Sequence, residues 1–519
     1  MPATIKHHAD PMKEHSKTGF DNEKYLREQT TAILERVSRF NDKLYLEFGG
    51  KILYDYHAAR VLPGFDPNVK IRLLQLLKEK IDVIMCIHAG DIERDKIRAD
   101  FGITYDVDTF KTIDDLKWWG INVTAVVITR YRNQPAAKTF KRKLESKGIN
   151  VYVHYPTKGY PTDVDLIVSD QGYGANEYIK TTKPIVIVTG PGPGSGKLAT
   201  CLSNLYHEYK LGIKAGYAKF ETFPIWDLPL DHMVNIAYEA ATADLGDENL
   251  IDIHHLKAYN IEVVNYNRDI EAFNLLKRML EKITGGRSLY NSPTDMGVNR
   301  ASAGIVDDGI IREAAFQEII RRYFRCAVEY AMGLTEKDTL NRSVELMNKV
   351  GAKEKDRKVV LPARKAAKDA EKSGKGNAGI FCGSAIELHD GIIITGKNSP
   401  LLHASSSLIL NATKYLAGLP DNMHLLPKSI IDSVTYMKKD LLNGKMVSLD
   451  VEETLIVMAI CALYNPAAQM ALESLKELQG CEVHSTHIPT PGDEAGFRKL
   501  KVNLTCDPEF SSKRLYISE

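Results

Sequence analysis

Cysteine is sparse and unclustered in this chain: seven in 519 residues, with no Cys-x-x-Cys pair. That excludes a zinc ribbon or a disulfide framework as the organising device. Cys86 and Cys461 sit in apolar surroundings that suit reduced, buried thiols. Long apolar runs are missing too, and no window approaches the roughly 20 residues a membrane helix needs. Charge of one sign is not in excess, since 68 basic residues face 67 acidic ones for a formal charge of +1. A balanced chain has no general attraction to nucleic acid or anionic lipid. The polar first residues lack the apolar core of a signal peptide. A cytoplasmic protein with no nucleic-acid partner and no membrane is therefore expected. With 44% hydrophobic and 26% charged residues, it has enough apolar material for several cores, about three domains by length.

The most informative stretch is Ile185–Thr200, IVIVTGPGPGSGKLAT. Four β-branched residues predict a buried strand, four glycines follow, and helical periodicity begins at Leu198. Strand, glycine loop and helix in that order are the setting of a phosphate-binding loop. Backbone N–H groups, the helix N-terminus and Lys197 would all face an anion. The usual spacing is not met: Pro191 stands in the first glycine slot, and Leu198 replaces the hydroxyl that would hold Mg²⁺. Thr200 can take that role only on a different loop path. The plainer alternative is a βα turn that binds nothing. Gly192, Gly194, Ser195, Gly196, Lys197 and Thr200 are the loop's candidate ligand contacts.

Residues 1–18 read as a mobile tail, with a metal role for His7-His8 disfavoured. From residue 19 to 265, helices alternate with strands near 44–48, 82–87, 123–129, 150–154, 166–169, 185–188 and 216–220. This alternation predicts a mostly parallel sheet of Rossmann-like or P-loop-like type within an overall α/β protein. Ligands of such sheets bind at the carboxyl ends of strands. Arg130, Lys158 and Lys197 would give that mouth three cations, whereas Gly49-Gly50-Lys51 reads as an ordinary turn. Glu221 and Asp227, in a proline-rich segment that no regular helix can occupy, are candidate base or metal carboxylates. Residues 266–350 read as a helical region, and its loop Ser292–Asn299 would place Asp295 or Asn299 at the same mouth. The bland role for that loop is helix capping by Ser292 or Thr294. Residues 351–378 read as a linker segment in which the charged run Lys353–Lys375 forms a helix before the link into the last domain. In 379–519, His389-Asp390-Gly391 between apolar runs predicts a hairpin, followed by a helix from about Leu401.

The segments Tyr45–Lys51, His57–Gly64, Gly102–Asp106, Tyr160–Asp170, Pro191–Lys197, Phe220–Pro229 and Ser292–Asn299 resemble a large bacterial family of unknown function. Some members carry the label ATP-dependent peptidase. Here His207-Glu208 continues without the second histidine of a zinc peptidase, and no Gly-x-Ser-x-Gly elbow occurs. The last domain resembles the cytidine-deaminase-like fold, as does the formyl-transferring domain of purine synthesis. That resemblance implies His-Ala-Glu and Pro-Cys-x-x-Cys motifs around zinc. The chain has His403-Ala404-Ser405 and Pro466-Ala467-Ala468-Gln469-Met470, so no zinc and no metal site is expected.

Two functions fit. One is an enzyme of transferase or ligase type acting on a phosphorylated metabolite or nucleotide. Its acid/base candidates are Glu221, Asp227, Asp295 and His403, its electrostatic candidates are Lys51, Lys158 and Arg268, and its candidate cofactor is ATP or another nucleotide with Mg²⁺. The other is a non-catalytic, nucleotide-responsive binding or assembly protein. A homo-oligomer is expected in either case.

Overall fold

Two strands define the first layer. Lys43–Phe48 (β1) and Ile185–Thr189 (β5) are buried along their whole length, as central strands covered on both faces must be. Around them lie Ile81–His88 (β2), Val123–Thr129 (β3), Val151–Val153 (β4), Ala215–Phe220 (β6) and Gly297–Val298 (β7). The strand order is β7-β6-β1-β5-β2-β3-β4, and each neighbouring pair is parallel. The computed structural model describes residues 18–40, 43–98, 101–377, 379–444 and 447–512. Residues 1–17 of the expected tail, including His7-His8, lie outside them. The chain forms two compact units, one spanning Lys17–Ala315 and one built on Phe316–Glu519.

Alternate residues of the first sheet face opposite layers. Tyr45, Cys86, Val127, Val186 and Val188 share one core with Leu202 and Leu205 of the helix Lys197–Lys210. The helix Tyr105–Trp118 packs on β2 and β3. Three expectations differ from this arrangement. Leu166–Ser169 is not a strand: Asp163 accepts the Leu166 N–H at 3.0 Å and starts the short helix Val164–Ile167. A brief apolar run does not distinguish the two by periodicity. The region from 266 onward is not a separate helical body. Its helix Asn267–Thr284 buries Ile270, Phe273, Met279, Leu280 and Ile283 and packs on the helix Lys197–Lys210, while β7 extends the sheet.

Nor is 351–378 mainly a linker, since the helix expected in it is packed. Val360–Lys372 is a helix whose Val360, Ala363, Ala366 and Ala370 are buried, a small-residue stripe hidden within a highly charged run. It lies against the second sheet so closely that a side chain on Gly383 would meet the Ala363 carbonyl at 2.3 Å. That sheet contains Gly383–Glu387 (β8), Ile393–Lys397 (β9), Glu482–Ser485 (β10) and Asn503–Cys506 (β11), in the order β9-β8-β10-β11. β8 is antiparallel to both neighbours, and β10 and β11 are parallel. Among the described residues no helix is long and apolar enough to cross a membrane.

Glu208, the glutamate of the incomplete peptidase-like pair, has a packing role. Its Oε1 accepts from Lys43 Nζ and from Tyr45 Oη, both at 2.7 Å, in a fully buried setting. Removing one partner of a buried pair strands the other charge. Glu208→Gln is expected to destabilise the chain by about 3–5 kcal/mol, read as a lower denaturation midpoint of the full chain.

Candidate functional site

Because the first sheet is all parallel, the segments after β1, β2, β3, β4, β5 and β6 leave one edge. β5 ends at Thr189, and the helix Lys197–Lys210 starts directly after Gly196, whose φ of +89° is left-handed. That conformation suits glycine alone here, since a Cβ would also lie 2.7 Å from the Thr129 side chain. Thr129 Oγ1 donates to the Ser195 carbonyl at 2.8 Å, tying the loop to the end of β3. Lys197 Nζ folds back toward the Gly192 carbonyl at 3.4 Å. Ser195 Oγ is buried with no hydrogen-bond partner among the described residues. Thr200 does not reach the loop mouth: it is fully buried and accepts from the Cys86 thiol at 3.3 Å.

The edge carries a cluster of charges: Glu47 on β1 is buried, while Lys219 on β6, Glu221 just after it and Asp269 on the helix Asn267–Thr284 are half-buried. Glu47 accepts from Tyr217 Oη at 2.8 Å, and Lys219 holds Glu221 at 2.9 Å and Asp269 on its other side. Burial pushes the Glu221 carboxyl up to about 7 against the pull of Lys219, with Asp269 and Glu47 pushing the same way. Lys219 is held above its ordinary range, its burial outweighed by Asp269 and then Glu221. A carboxyl that titrates near neutrality is suited to proton transfer. Lys197 and Glu47 both act on the Cys86 and Cys201 thiols, which burial pushes up; they therefore belong to one neighbourhood.

The other candidates separate. Strand spacing of about 4.8 Å puts the ends of β5 and β6 about 10 Å apart, and those of β4 and β6 about 24 Å apart. Lys158, exposed after β4, therefore does not share a small ligand with Glu221. Arg130 is exposed at φ +50° after β3 and bears on His88, one strand from the loop. Asp227 is exposed and accepts from Ser302 Oγ at 2.6 Å, outside the charge cluster. Asp295 lies beyond β6 from the loop. It precedes β7 at the amino side, with β6 and β1 between it and β5, and it accepts from Tyr259 Oη at 2.7 Å and Asn291 N at 2.9 Å. Ser292 caps its short helix by accepting from Asp295 N. Asn299 does reach the carboxyl edge, donating to the Thr222 and Pro224 carbonyls at 3.2 and 3.1 Å. Arg268 pairs with Asp247. Sequence reasoning missed Glu47, Lys219 and Asp269. A lone charge inside an otherwise apolar buried strand was the available signal for the first two.

His403 belongs to the second unit. It precedes the helix Ala404–Leu416, and its Nδ1 lies 2.8 Å from Asp493 Oδ2. Asp493 is fully buried and also accepts from Val451 N at 3.1 Å and Thr490 Oγ1 at 3.0 Å. Burial opposes a charged ring, but the bond to Asp493 prevails and raises the His403 pKa. Among the described residues no group of three or more His, Cys, Asp or Glu side chains is arranged to hold a metal ion.

The family model described as "Domain of unknown function DUF1846, N-terminal" matches residues 18–351, and its C-terminal counterpart matches 355–516. The chain belongs to the DUF1846 family. It is 57% identical over 500 residues to a UPF0371 protein of Clostridium tetani (strain Massachusetts / E88), covering 96% of this chain and 99% of that protein. A UPF0371 protein of Clostridium botulinum (strain ATCC 19397 / Type A) is 57% identical over 501 residues, covering 96% and 99%. One from Clostridioides difficile (strain 630) is 55% identical over 503 residues, covering 97% and 100%. These DUF1846 relatives are similar along nearly the whole chain, so both units belong to the shared design. Their names state no activity, and the chemistry rests on the geometry.

The pair in the DUF1846 C-terminal unit gives a prediction of definite sign. A histidine with a raised folded pKa stabilises below its unfolded value and loses that contribution as pH rises through the folded one. His403 should titrate above 6.5 by NMR, and in Asp493→Asn its pKa should fall below the wild-type value. The stability gap between the two chains should be widest near pH 6 and narrow above the folded pKa.

Proposed function

We propose that the unit Lys17–Ala315 binds a phosphate-bearing small molecule at the carboxyl edge of its sheet and carries out a transferase- or ligase-type reaction on it. The observation that carries this reading is the left-handed Gly196 at the start of a 14-residue helix whose first residue is Lys197. Four unpaired N–H groups, the positive end of the helix and a lysine suit a phosphate. Glu221, about two strand spacings away, supports the enzymatic reading over a purely ligand-responsive one. Its carboxyl gains or loses a proton near neutrality. A sugar-phosphate-sized substrate spans that separation.

ATP with Mg²⁺ is the less favoured ligand. Leu198 stands where a hydroxyl would meet the metal, and Thr200 is occupied beneath the loop. A phosphorylated metabolite, or a nucleotide bound without metal-dependent hydrolysis, fits these residues better.

Calorimetry with ADP and with ribose 5-phosphate tests the reading. Lys197→Ala should weaken whichever binds by about 1.5–3 kcal/mol, the value of a charge-assisted hydrogen bond. Affinity unchanged in that variant overturns it.

Glu221 gives a second test through stability. A carboxyl raised from 4.5 to about 7 in the folded chain favours folding at low pH and loses that contribution as pH rises through the folded value. Glu221→Gln imitates the protonated form. It should gain about 1–3 kcal/mol relative to the wild type between pH 5 and pH 8. Parallel stability curves would show that Glu221 does not titrate there.

A further inference from the structure

Arg98 is a buried cation with half its hydrogen-bonding capacity unused. It is 9% exposed. Its Nη1 donates to both oxygens of Asp108, at 2.8 and 2.7 Å, and its guanidinium carbon lies 4.8 Å from the centre of the Phe101 ring. Nε and Nη2 are buried and have no hydrogen-bond partner among the described residues. Leaving buried donors unpaired is costly, and native proteins seldom do so without a reason.

Arg98 borders a cleft. Lys51, Tyr54, Lys111 and the stretch Thr189–Pro191 line it as well. The cleft therefore shares Gly190 and Pro191 with the phosphate-binding-type loop. Both carboxylates in the lining are already engaged: Asp108 by Arg98 and Asp115 by Lys111. Lys111 also sits over the Tyr54 ring, 4.3 Å from its centre, which fixes that wall. A guanidinium offering two adjacent N–H groups matches the two oxygens of a carboxylate or phosphate, which a lysine does not.

We propose that this cleft binds an oxyanion through Arg98 Nε and Nη2, and that the natural ligand therefore carries two anionic groups, one on the loop and one in the cleft. The second clause rests on the phosphate reading of the loop given above; the Arg98 site does not. The substrate class is a phosphorylated metabolite bearing a carboxylate or a second phosphate.

Equilibrium dialysis of the full chain against labelled inorganic phosphate at millimolar concentration tests both parts. The wild type should bind two phosphates per chain. Arg98→Lys, which keeps a cation beside Asp108 but loses the fork, should bind one. Lys197→Ala should also bind one, and the double variant none. Thermal melts establish that each variant is folded. Thr112→Glu is a second route, since Thr112 lines the cleft and a carboxylate there occupies the fork while leaving Arg98 and Asp108 intact; it too should bind one. A wild type that binds a single phosphate, kept in Arg98→Lys and lost in Lys197→Ala, overturns the Arg98 site and leaves the loop reading standing. A single phosphate lost in Arg98→Lys and kept in Lys197→Ala supports the Arg98 site and overturns the loop reading. No phosphate bound by the wild type overturns both.

Discussion

Steric closeness of the turn between β5 and its helix is the constraint on which the candidate site depends. The turn runs against three other elements. A side chain on Gly190 would meet the Cys86 carbonyl of β2 at 2.4 Å, one on Gly192 the Tyr105 hydroxyl at 2.4 Å, and one on Gly196 the Thr129 side chain of β3. Such a loop is held in place rather than left to fold over a ligand. Holding the N–H groups in advance lowers the ordering cost that binding would otherwise carry. It also explains why the loop departs from the usual phosphate-loop spacing. Its glycines answer to contacts with β2, β3 and the helix Tyr105–Trp118, and those contacts set their positions.

Charge is distributed along the same edge by burial. Lys219 stands between Glu221 and Asp269 and cannot fully compensate both, with Glu47 behind them. A carboxylate sharing one cation with another in a dry setting is the one forced toward its neutral form. Environments that drive neighbouring titratable groups apart are how acid and base roles are assigned. The pairing of Glu221 with a lysine is therefore compatible with the proton-transfer role proposed for it, because the pairing is incomplete and leaves its pKa raised.

The first sheet was legible in the sequence because strands buried on both faces appear as unbroken apolar runs, as in Ile185–Thr189 and Val123–Thr129. Parallel connectivity also made legible which loops leave the carboxyl edge. Strand order was not legible, and with it went the single mouth. Nothing local in Ser292–Asn299 tells that β7 joins the sheet beyond β6, which leaves Asp295 at the amino side and brings only Asn299 to the carboxyl edge. The placement of Lys158 after the edge strand β4 was not legible for the same reason, since it is set by how many strands intervene. Arg98 lacked any signal, because a guanidinium is singled out by what fails to reach it, and that is a tertiary fact. The helix Val360–Lys372 was legible in its charged run, but the burial of its alanine stripe was not, because it depends on the sheet it packs against.

The segment after β1 runs between these separate features. Gly49, Gly50 and Lys51 read as an ordinary turn, yet a side chain on Gly49 would lie 2.7 Å from Glu221 Cγ, and Lys51 and Tyr54 line the Arg98 cleft. Gly50 and Tyr54 both have positive φ, +68° and +57°. For tyrosine that conformation is unfavourable and is kept only where surrounding contacts demand it. The contacts are visible: Tyr54 N donates to Asn68 Oδ1 at 3.1 Å, and its ring carries Lys111 on its face. Six residues thus run from the titrating carboxyl to the unfilled guanidinium across the end of β1, beside the loop on β5. The proposed ligand, reaching all three groups, would lie over the ends of β6, β1, β5 and β2, whose Met85 also lines the Arg98 cleft; Lys158 stands at the far edge of the sheet.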